Sequence, residues 1–325
     1  MERETVLVTG GNSGIGFECA RELARAGRHV VIASRGREAS ARAVQRIAAE
    51  FGADRIEAME LDLAEPESVR RLAQAIEERD LTLRALVCNA GLQHPGPHLI
   101  VTSEGYEITF AVNHLGHFLL TNLLLARLVR SAPARIVITA SGVHDPKRMT
   151  GMPKASVSDI DTLAATGGPR HGAFSGPLAY VNSKLCNLWF SYELGRRLEA
   201  AGLSSDEAPL AVNAYDPGLV PGSGLARDYH PAARFVWDNV LPAIASLLNP
   251  VVPSISTAEK SGVALARLVL EPGLARRGAR YYPSHTSWAE TPSSEQSYDP
   301  RMARELWEAS IRMTKLVPEE SPLLG

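Results

Sequence analysis

The chain has 325 residues, of which 45% are hydrophobic and 22% are charged, and a formal net charge of −2. This composition predicts a globular protein with a large core and argues against a nucleic-acid-binding surface. The three cysteines, Cys19, Cys88 and Cys186, form no closely spaced pair, which indicates a reducing compartment. No signal peptide precedes the first strand pattern, and no apolar run reaches the ~20 residues of a membrane span, so we expect a cytoplasmic protein.

The first 140 residues alternate short apolar runs with helical patterns, as expected for β-α-β units. In chain order these are TVLVTG, a helix over 14–26, HVVIAS, a helix over 37–51, IEAMELDL, a helix over 66–79, RALVCNAG, a helix over 104–130 and RIVITAS. Gly27, Pro66 and Ser103 are predicted to end or begin the neighbouring helices. The alternation predicts an α/β fold with a doubly wound parallel sheet and helices on both faces.

The alternation stops after residue 141. Residues 142–178 are rich in Gly, Pro, Ser and His and are predicted to form an inserted loop. It resumes with a helix over 178–201, the strand LAVNAY, a helix over 257–271 and the strand ARYYP. Because no linker separates two cores, we expect a single domain over 1–325.

The stretch TGGNSGIG follows the first strand and opens the first helix. Its glycines permit a tight turn and close approach of a pyrophosphate, and the helix N-terminus favours phosphate binding. The pattern therefore predicts a dinucleotide-binding turn, although a tight turn needs glycine even without a ligand. The residues assigned to it are Gly10, Asn12, Ser13, Gly14, Ile15 and Gly16.

The end of the second strand indicates which dinucleotide binds. An acidic residue there would bind the ribose hydroxyl of NAD, but ASRGRE offers Ser34 and Arg35, with Arg37 close behind. An arginine can pair with a 2′-phosphate through two hydrogen bonds. The sequence therefore favours NADP(H) over NAD(H), with a solvent-facing Arg35 as the alternative.

Tyr180 and Lys184 lie four positions apart in AYVNSK and share one face of the predicted helix. A free phenol has a pKa near ~10, and a neighbouring ammonium lowers that pKa, so the pair can act as a general acid or base. The alternative is an ordinary helix surface. Ser141 ends a strand at the edge where open α/β sheets bind ligands, and Asn113 lies mid-helix, where a buried amide needs hydrogen bonds.

Together these motifs resemble the short-chain dehydrogenases/reductases, which are single-domain Rossmann-type enzymes. The resemblance covers essentially the whole chain and rests on TGGNSGIG, LDL around Asp62, CNAG, Asn113, Ser141, YVNSK and DPG at 216–218. It implies that Tyr180 transfers the substrate proton, Ser141 binds the substrate oxygen, and Lys184 holds the nicotinamide ribose and tunes Tyr180. It also implies that Asn113 fixes a water in a proton relay.

The same resemblance implies cofactor contacts beyond the glycine-rich turn. Asp62 would contact the adenine, Asn89 would line the cofactor groove, and the backbone after Pro217 would cover the nicotinamide. Together with Ser34 and Arg35 from the strand end, the assigned set is Asp62, Leu63, Asn89, Ala90, Gly91, Tyr180, Lys184, Pro217 and Gly218. The threonine that the family often places after the Pro-Gly turn is displaced here by Pro221 and Gly222, and Ser223 is the candidate substitute for binding the nicotinamide amide.

The insertion narrows the branch of the family. Tyr180 follows Ser141 by 39 positions, and the long insert with NHLGHFLL and SKLCN resembles the retinol dehydrogenases and light-dependent protochlorophyllide reductases. The latter carry NAA and a later cysteine where this chain has Gly91 and Leu219, and Cys186 is more typical of packing. A soluble carbonyl reductase or alcohol dehydrogenase for a bulky apolar substrate is therefore expected first. Light-dependent C=C reduction is the alternative, and a non-catalytic NADP(H)-binding sensor or scaffold is another.

Several further expectations concern surfaces and histidines. Residues 222–255 are predicted to form a substrate lid, with an oligomer contact or a peripheral membrane patch as alternatives. His114 and His117 are expected to serve packing or capping rather than a metal, and no metal is predicted. His144 and His171 could touch substrate. A homodimer or homotetramer is expected through the helices over 104–130 and 178–201, with no nucleic-acid partner and no integral membrane segment.

Overall fold

The computed structural model describes residues 3–79, 81–169, 173–222, 230–231, 235–241, 255–276, 278–284 and 289–324. Within these ranges seven parallel strands form one sheet in the order β3-β2-β1-β4-β5-β6-β7. The strands are β1 (Glu4–Thr9), β2 (His29–Ser34), β3 (Ile56–Glu60), β4 (Thr82–Cys88), β5 (Ala134–Thr139), β6 (Leu210–Asp216) and β7 (Ala279–Pro283). The strand order reverses between β1 and β4, and such a reversal opens a crevice at the carboxyl ends of the strands.

Helices cover both faces of this sheet. They are α1 (Gly14–Arg25), α2 (Arg37–Phe51), α3 (Pro66–Glu77), α4 (Ile108–Arg130), α5 (Ile160–Thr166), α6 (Gly176–Ala200), α7 (Ala258–Leu270) and α8 (Pro300–Thr314). Leu23 of α1 and Leu265 of α7 join the core on one face, while Leu72 of α3 and Phe190 of α6 join the core on the other. The predicted doubly wound α/β fold is confirmed.

Two predicted strands end early. β3 ends at Glu60 and β4 at Cys88, each three residues before the end that the apolar pattern predicts. The residues that follow, which include Asp62 and Asn89, leave the sheet and line the crevice. The residues after these two strands therefore form part of a binding edge and do not extend the strands.

The start of α4 corrects the sequence-based prediction. Ser103 does not cap this helix, because its hydroxyl donates to the neighbouring Glu104. The helix begins at Ile108, where the fully buried Glu107 carboxylate accepts hydrogen bonds from the backbone N–H groups of Thr109 and Phe110 at 2.9 and 2.7 Å. Desolvation raises the pKa of Glu107 above its usual range.

The insertion contains more structure than the predicted loop. The Asp159 carboxylate accepts from the Thr162 N–H at 2.7 Å and caps the short helix α5. Gly167, with φ +70°, follows the last residue of this helix. α6 begins at Gly176, two residues before its predicted start, with Ser175 as its cap.

Helix α8 was not predicted from the sequence, although its apolar residues follow helical spacing. Met302, Leu306 and Trp307 are buried on one face and pack against α4 and α6. The Trp307 ring lies 5.0 Å from the ring of Phe118, and the Arg197 guanidinium stacks over it at 4.7 Å. α8 therefore covers part of the two helices that were expected to pair between subunits.

Helix α4 also bears on membrane association. It has 23 residues with a mean hydropathy of 1.3 in its most apolar window, so by length and composition it could cross a bilayer, contrary to the sequence-based estimate of its apolar run. In the fold, 89% of that window is buried. Its apolar character matches its position in the core between β4, α3 and α6.

Candidate active site

A cleft of about 1240 Å³ opens at the carboxyl ends of the strands. It brings together nearly all the residues that the sequence assigned to a site. Those that line it are Gly10, Asn12, Ser13, Gly14, Ile15, Gly16, Ser34, Arg35, Asp62, Leu63, Asn89, Ala90, Gly91, Ser141, Tyr180, Lys184, Pro217 and Gly218. Ser223 and His171 lie outside the described residues, as does most of the predicted lid over 222–255.

The glycine-rich turn has the geometry of a phosphate cradle. Gly10 and Gly14 adopt φ values of +67° and +55°, which favour glycine. A Cβ on Gly16 would collide with the Gly10 carbonyl oxygen and the Asn89 amide, so the helix can approach this closely only with glycine. Ser13 makes no side-chain cap to α1, which leaves the first N–H groups of the helix available to an anion. The turn fits a dinucleotide pyrophosphate.

The two arginines after β2 differ in their availability. Arg37 donates two hydrogen bonds to the Glu60 carboxylate, at 3.0 and 2.6 Å. Arg35 lines the cleft, and its guanidinium lies 3.9 Å from the Asp62 carboxylate, beyond hydrogen-bonding distance. Arg35 therefore keeps its fork of N–H donors for a phosphate at the cleft edge.

A buried network fixes the residues between β1 and β4. The Thr9 hydroxyl accepts from the backbone N–H groups of Asn89 and Ala90 at 2.9 and 3.0 Å, and it lies 2.9 Å from Nε2 of His117. Since Nδ1 of His117 donates to the Asn113 carbonyl at 3.2 Å, Nε2 accepts the Thr9 proton in the neutral ring. Burial lowers the pKa of His117 to about 4, which keeps this ring neutral.

The neighbouring His114 has a separate structural contact. Its Nε2 lies 2.8 Å from the Ser310 hydroxyl of α8, and burial lowers its pKa to about 3. Both helix histidines therefore act in hydrogen bonding and packing. Within the described ranges, no group of three His, Cys, Asp or Glu residues could hold a metal ion.

Lys184 lies deep in the cleft, 4% exposed, and donates to the Thr139 carbonyl at 3.0 Å. Its ammonium lies 5.5 Å from the centroid of the Tyr180 ring, one turn away on the same face of α6. Burial lowers the pKa of Lys184 to about 8, and the Asp216 carboxylate partly opposes this effect. The predicted shared face of Tyr180 and Lys184 is thus realised inside the cleft and not on the helix surface.

Asn113 lies in a π-helical turn, Ala111–Leu115, within α4. Its Oδ1 accepts from the Leu92 N–H at 2.9 Å, and its Nδ2 donates to the Leu92 carbonyl at 3.0 Å and to the Ser183 hydroxyl at 2.9 Å. The side chain therefore clamps the loop after β4 to the helix that carries Tyr180. Its amide does not line the cleft, and the water relay implied by the resemblance stays a prediction.

Ser141 follows β5 at the cleft floor and is 8% exposed. The next turn holds it through His144, whose Nδ1 donates to the Ser141 carbonyl at 2.5 Å and whose Nε2 accepts from the Ser294 N–H at 3.1 Å. Burial lowers the pKa of His144, which favours this neutral form. His144 therefore positions Ser141 from behind and does not line the cleft.

The insertion supplies a cleft cation that sequence reasoning missed. Arg148 donates to the buried Asp216 carboxylate at 3.1 Å, and Tyr281 donates to the same oxygen at 3.2 Å. The other Asp216 oxygen accepts from the Gly218 N–H at 3.0 Å. This network ties the insertion to the turn after β6. No local pattern marks Arg148, because its partner is distant in the sequence.

The wall around these polar groups is largely apolar. Sequence reasoning placed the insertion beside the site but did not select its residues. The additional cleft-lining residues from the insertion and later turns include Val143, Met149, Met152, Leu219, Val220 and Trp237. Polar residues of this wall that the sequence also did not single out include Gln93, on the loop after β4, Thr139 and Thr150.

Comparisons with known proteins identify the family of this chain. Residues 4–153 match the family model for short chain dehydrogenases. The chain is 36% identical over 310 residues to the WW domain-containing oxidoreductase of Homo sapiens, covering 95% of this chain and 68% of that protein. It is 32% identical over 326 residues to protochlorophyllide reductase of Avena sativa, covering 96% and 99%. The solved Pseudomonas aeruginosa RhlG/NADP active-site complex aligns with a TM-score of 0.61 at 27% identity, covering 87% of this chain and 95% of that chain.

Proposed function

This chain belongs to the short-chain dehydrogenase family, and we propose that it is an NADP(H)-dependent oxidoreductase that interconverts a carbonyl and an alcohol on a bulky apolar substrate. The observation that carries the proposal is the position of Tyr180 and Lys184, which meet on one face of α6 inside the cleft. Burying an ammonium costs free energy, and a pair on the helix surface would not incur that cost.

The chain's own residues account for cofactor binding. The cradle at Gly10, Gly14 and Gly16 takes the pyrophosphate, and Arg35 pairs with the 2′-phosphate of NADP(H). Lys184 holds the nicotinamide ribose. The bound nicotinamide supplies or accepts the hydride.

Proton transfer then falls to Tyr180. The buried Lys184 ammonium stabilises the phenolate, so Tyr180 can give a proton to the reduced oxygen or take one from an alcohol. Ser141 donates a hydrogen bond to the same substrate oxygen, and His144 and Asn113 hold the surrounding backbone in place. The hydrogen bond to the Thr139 carbonyl anchors the Lys184 ammonium beside Tyr180.

We infer an apolar substrate from the apolar side chains in the wall of the cleft. Met149 is fully exposed and Leu219 is 40% exposed at the rim, where a bulky hydrophobic molecule would cover them. Methionine side chains also adapt to irregular shapes.

Light-dependent reduction of a C=C bond is the second candidate. It is favoured by the nearly full-length match to a protochlorophyllide reductase. Cys186 does not add support, since it is fully buried in the core and desolvation raises its pKa strongly.

We also propose a cytoplasmic location, since the three cysteines are buried free thiols, as expected in a reducing compartment. The homodimer or homotetramer stays a prediction. Because α8 already covers part of α4 and α6, pairing through these helices would need the remaining exposed surface.

The test is NADPH oxidation in the dark and under illumination against aromatic ketones, retinal and protochlorophyllide, with NADH in parallel. We expect dark turnover of a ketone with NADPH, and Tyr180→Phe should lower kcat by at least ~100-fold while the Kd for NADPH stays within twofold. Turnover of protochlorophyllide alone, and only in light, would instead identify the second candidate. If the wild type binds NADPH but turns over nothing in the panel, a binding protein without catalysis is favoured.

A further inference from the structure

Gln93 is a buried polar residue of the cleft that the proposed reaction does not use. It is 5% exposed and lines the cleft. Within the described part of the chain, the Gln93 carboxamide has no hydrogen-bond partner. Its polar atoms are not fully shielded from solvent. The carboxamide of Gln93 is therefore within reach of solvent, in a residue that lines the cleft. A buried amide without a partner costs free energy unless a water or a ligand supplies hydrogen bonds.

The backbone places Gln93 beside the catalytic helix. On one side, Leu92 is clamped by the Asn113 amide through both its N–H and its carbonyl, and a Cβ on Gly91 would lie 3.8 Å from the Lys184 ammonium. On the other side, the carbonyl of His94 packs against Gly176 so closely that a Cβ there would collide with it.

These contacts fix the position of Gln93 along α6. Gly176 precedes Tyr180 by one turn, and Lys184 follows Tyr180 by one turn. Gln93 therefore lies between two contacts that bracket the turn of Tyr180, on a loop that hydrogen bonds hold at a fixed position.

The reacting oxygen itself does not need Gln93. A carbonyl oxygen has two lone pairs, and the proposed mechanism uses both, one for Tyr180 and one for Ser141. A third donor at the same edge of the cleft fits a different oxygen of the substrate. The carboxamide offers an N–H donor and a C=O acceptor, so it can bind either a carbonyl or a hydroxyl group.

We propose that Gln93 is a specificity-determining residue, whose Nε2 donates to a second oxygen on the substrate carbon next to the reacting carbonyl. The substrate class is then an α-oxygenated ketone, a 1,2-diketone or an α-hydroxyketone, within an otherwise apolar molecule. This assignment rests on the proposed carbonyl reduction. Such a site favours the substrate over an analogue without the second oxygen, since only the substrate oxygen pairs with the amide.

The experiment compares benzil, a 1,2-diketone, with deoxybenzoin, which lacks the second carbonyl oxygen. Gln93→Met removes the amide at similar size, and Gln93→Glu keeps the shape but removes the N–H donor. Gln74→Met makes the same change on the exposed face of α3, where Gln74 bonds Glu78, and serves as the matched control. The measured quantity is kcat/KM with NADPH, together with the Kd for NADPH as a check on folding.

We expect both Gln93 variants to lower kcat/KM for benzil by about tenfold, the change for one hydrogen bond, and for deoxybenzoin by less than about twofold. The Gln74 variant should change neither value. Comparing each variant with wild type on the same ketone removes the intrinsic reactivity of benzil from the result. An equal loss on both ketones, or no loss, overturns the assignment. If one Gln93 variant loses NADPH affinity, and is therefore misfolded, the result with the other variant decides the assignment.

Binding of the two ketones to the NADP+ complex, followed by saturation-transfer NMR, separates this assignment from the proposed reaction. If neither ketone is reduced but the wild type binds benzil more tightly and the Gln93 variants do not, the reduction fails and the Gln93 subsite stands. Equal binding of both ketones by the wild type and the variants overturns the subsite, whatever the turnover.

Discussion

Replacing Lys184 by methionine tests the electrostatics of the cleft in the apoprotein. Burial lowers the pKa of the Lys184 ammonium from 10.5 to about 8, so the unfolded chain holds this proton more tightly than the folded one. Below pH ~8 both states are protonated, and the buried charge opposes folding at full strength. Each pH unit between the two pKa values is worth ~1.4 kcal/mol, which gives a total of about 3 kcal/mol.

The sign of the pH dependence follows from this. Between pH ~8 and pH ~10.5 the folded lysine is neutral while the unfolded one is charged, so the wild-type free energy of unfolding gains about 3 kcal/mol from this group as pH rises. Lys184→Met has no such contribution. We therefore expect its stability relative to wild type to be most favourable near neutral pH and to fall by about 3 kcal/mol by pH ~10.5. Loss of the hydrogen bond to Thr139 adds an offset at every pH.

The assay is urea unfolding of the apoproteins, followed by circular dichroism across this pH range. Lys154→Met, which removes an exposed lysine in the insertion, is the control for the loss of a lysine side chain at the surface. A Lys184→Met difference that does not change with pH would refute the reasoning, because it would mean that the folded protein holds the Lys184 proton as tightly as the unfolded chain does.

Three further changes test other parts of the structure. Arg35→Leu should weaken NADPH binding about tenfold or more and leave NADH unchanged in titrations, whereas Arg37→Leu should alter neither, because Arg37 is paired with Glu60; equal effects of both variants would contradict this. Arg148→Met removes the ion-pair partner of the buried Asp216, so the free energy of unfolding measured by thermal unfolding should fall by about 3 kcal/mol. An unchanged Tm would argue against the ion pair. Glu107→Ala removes the cap of α4 and should lower the free energy of urea unfolding by ~1–2 kcal/mol, while Ser103→Ala should leave it almost unchanged. A larger loss for Ser103→Ala would instead support the sequence-based prediction of the cap.

The parts of the site that follow from the sequence are those with local causes. The turn after β1 needs glycine at position 10 because of its positive φ, and at position 16 because the helix packs closely against the turn. Both requirements arise within a short stretch of the chain. Tyr180 and Lys184 share a face because helical spacing places positions four apart together. Alternation of strands and helices likewise predicts a parallel sheet, and a parallel sheet predicts that Ser141 and Asn89 lie at the same edge.

Other features depend on partners distant in the chain, and only the tertiary structure decided them. Asn113 was recognisable as a costly buried amide, but its partners at Leu92 and Ser183 come from another loop and another helix. No sequence pattern distinguished Arg148 from the other arginines, and only the fold shows its hydrogen bond to Asp216. Gln93 belongs to no sequence motif. Its place in the cleft depends on the contacts of the residues on either side of it with α6. Spacing along the chain reports which residues share a local surface, whereas hydrogen-bond satisfaction and burial depend on which surfaces the whole chain brings together.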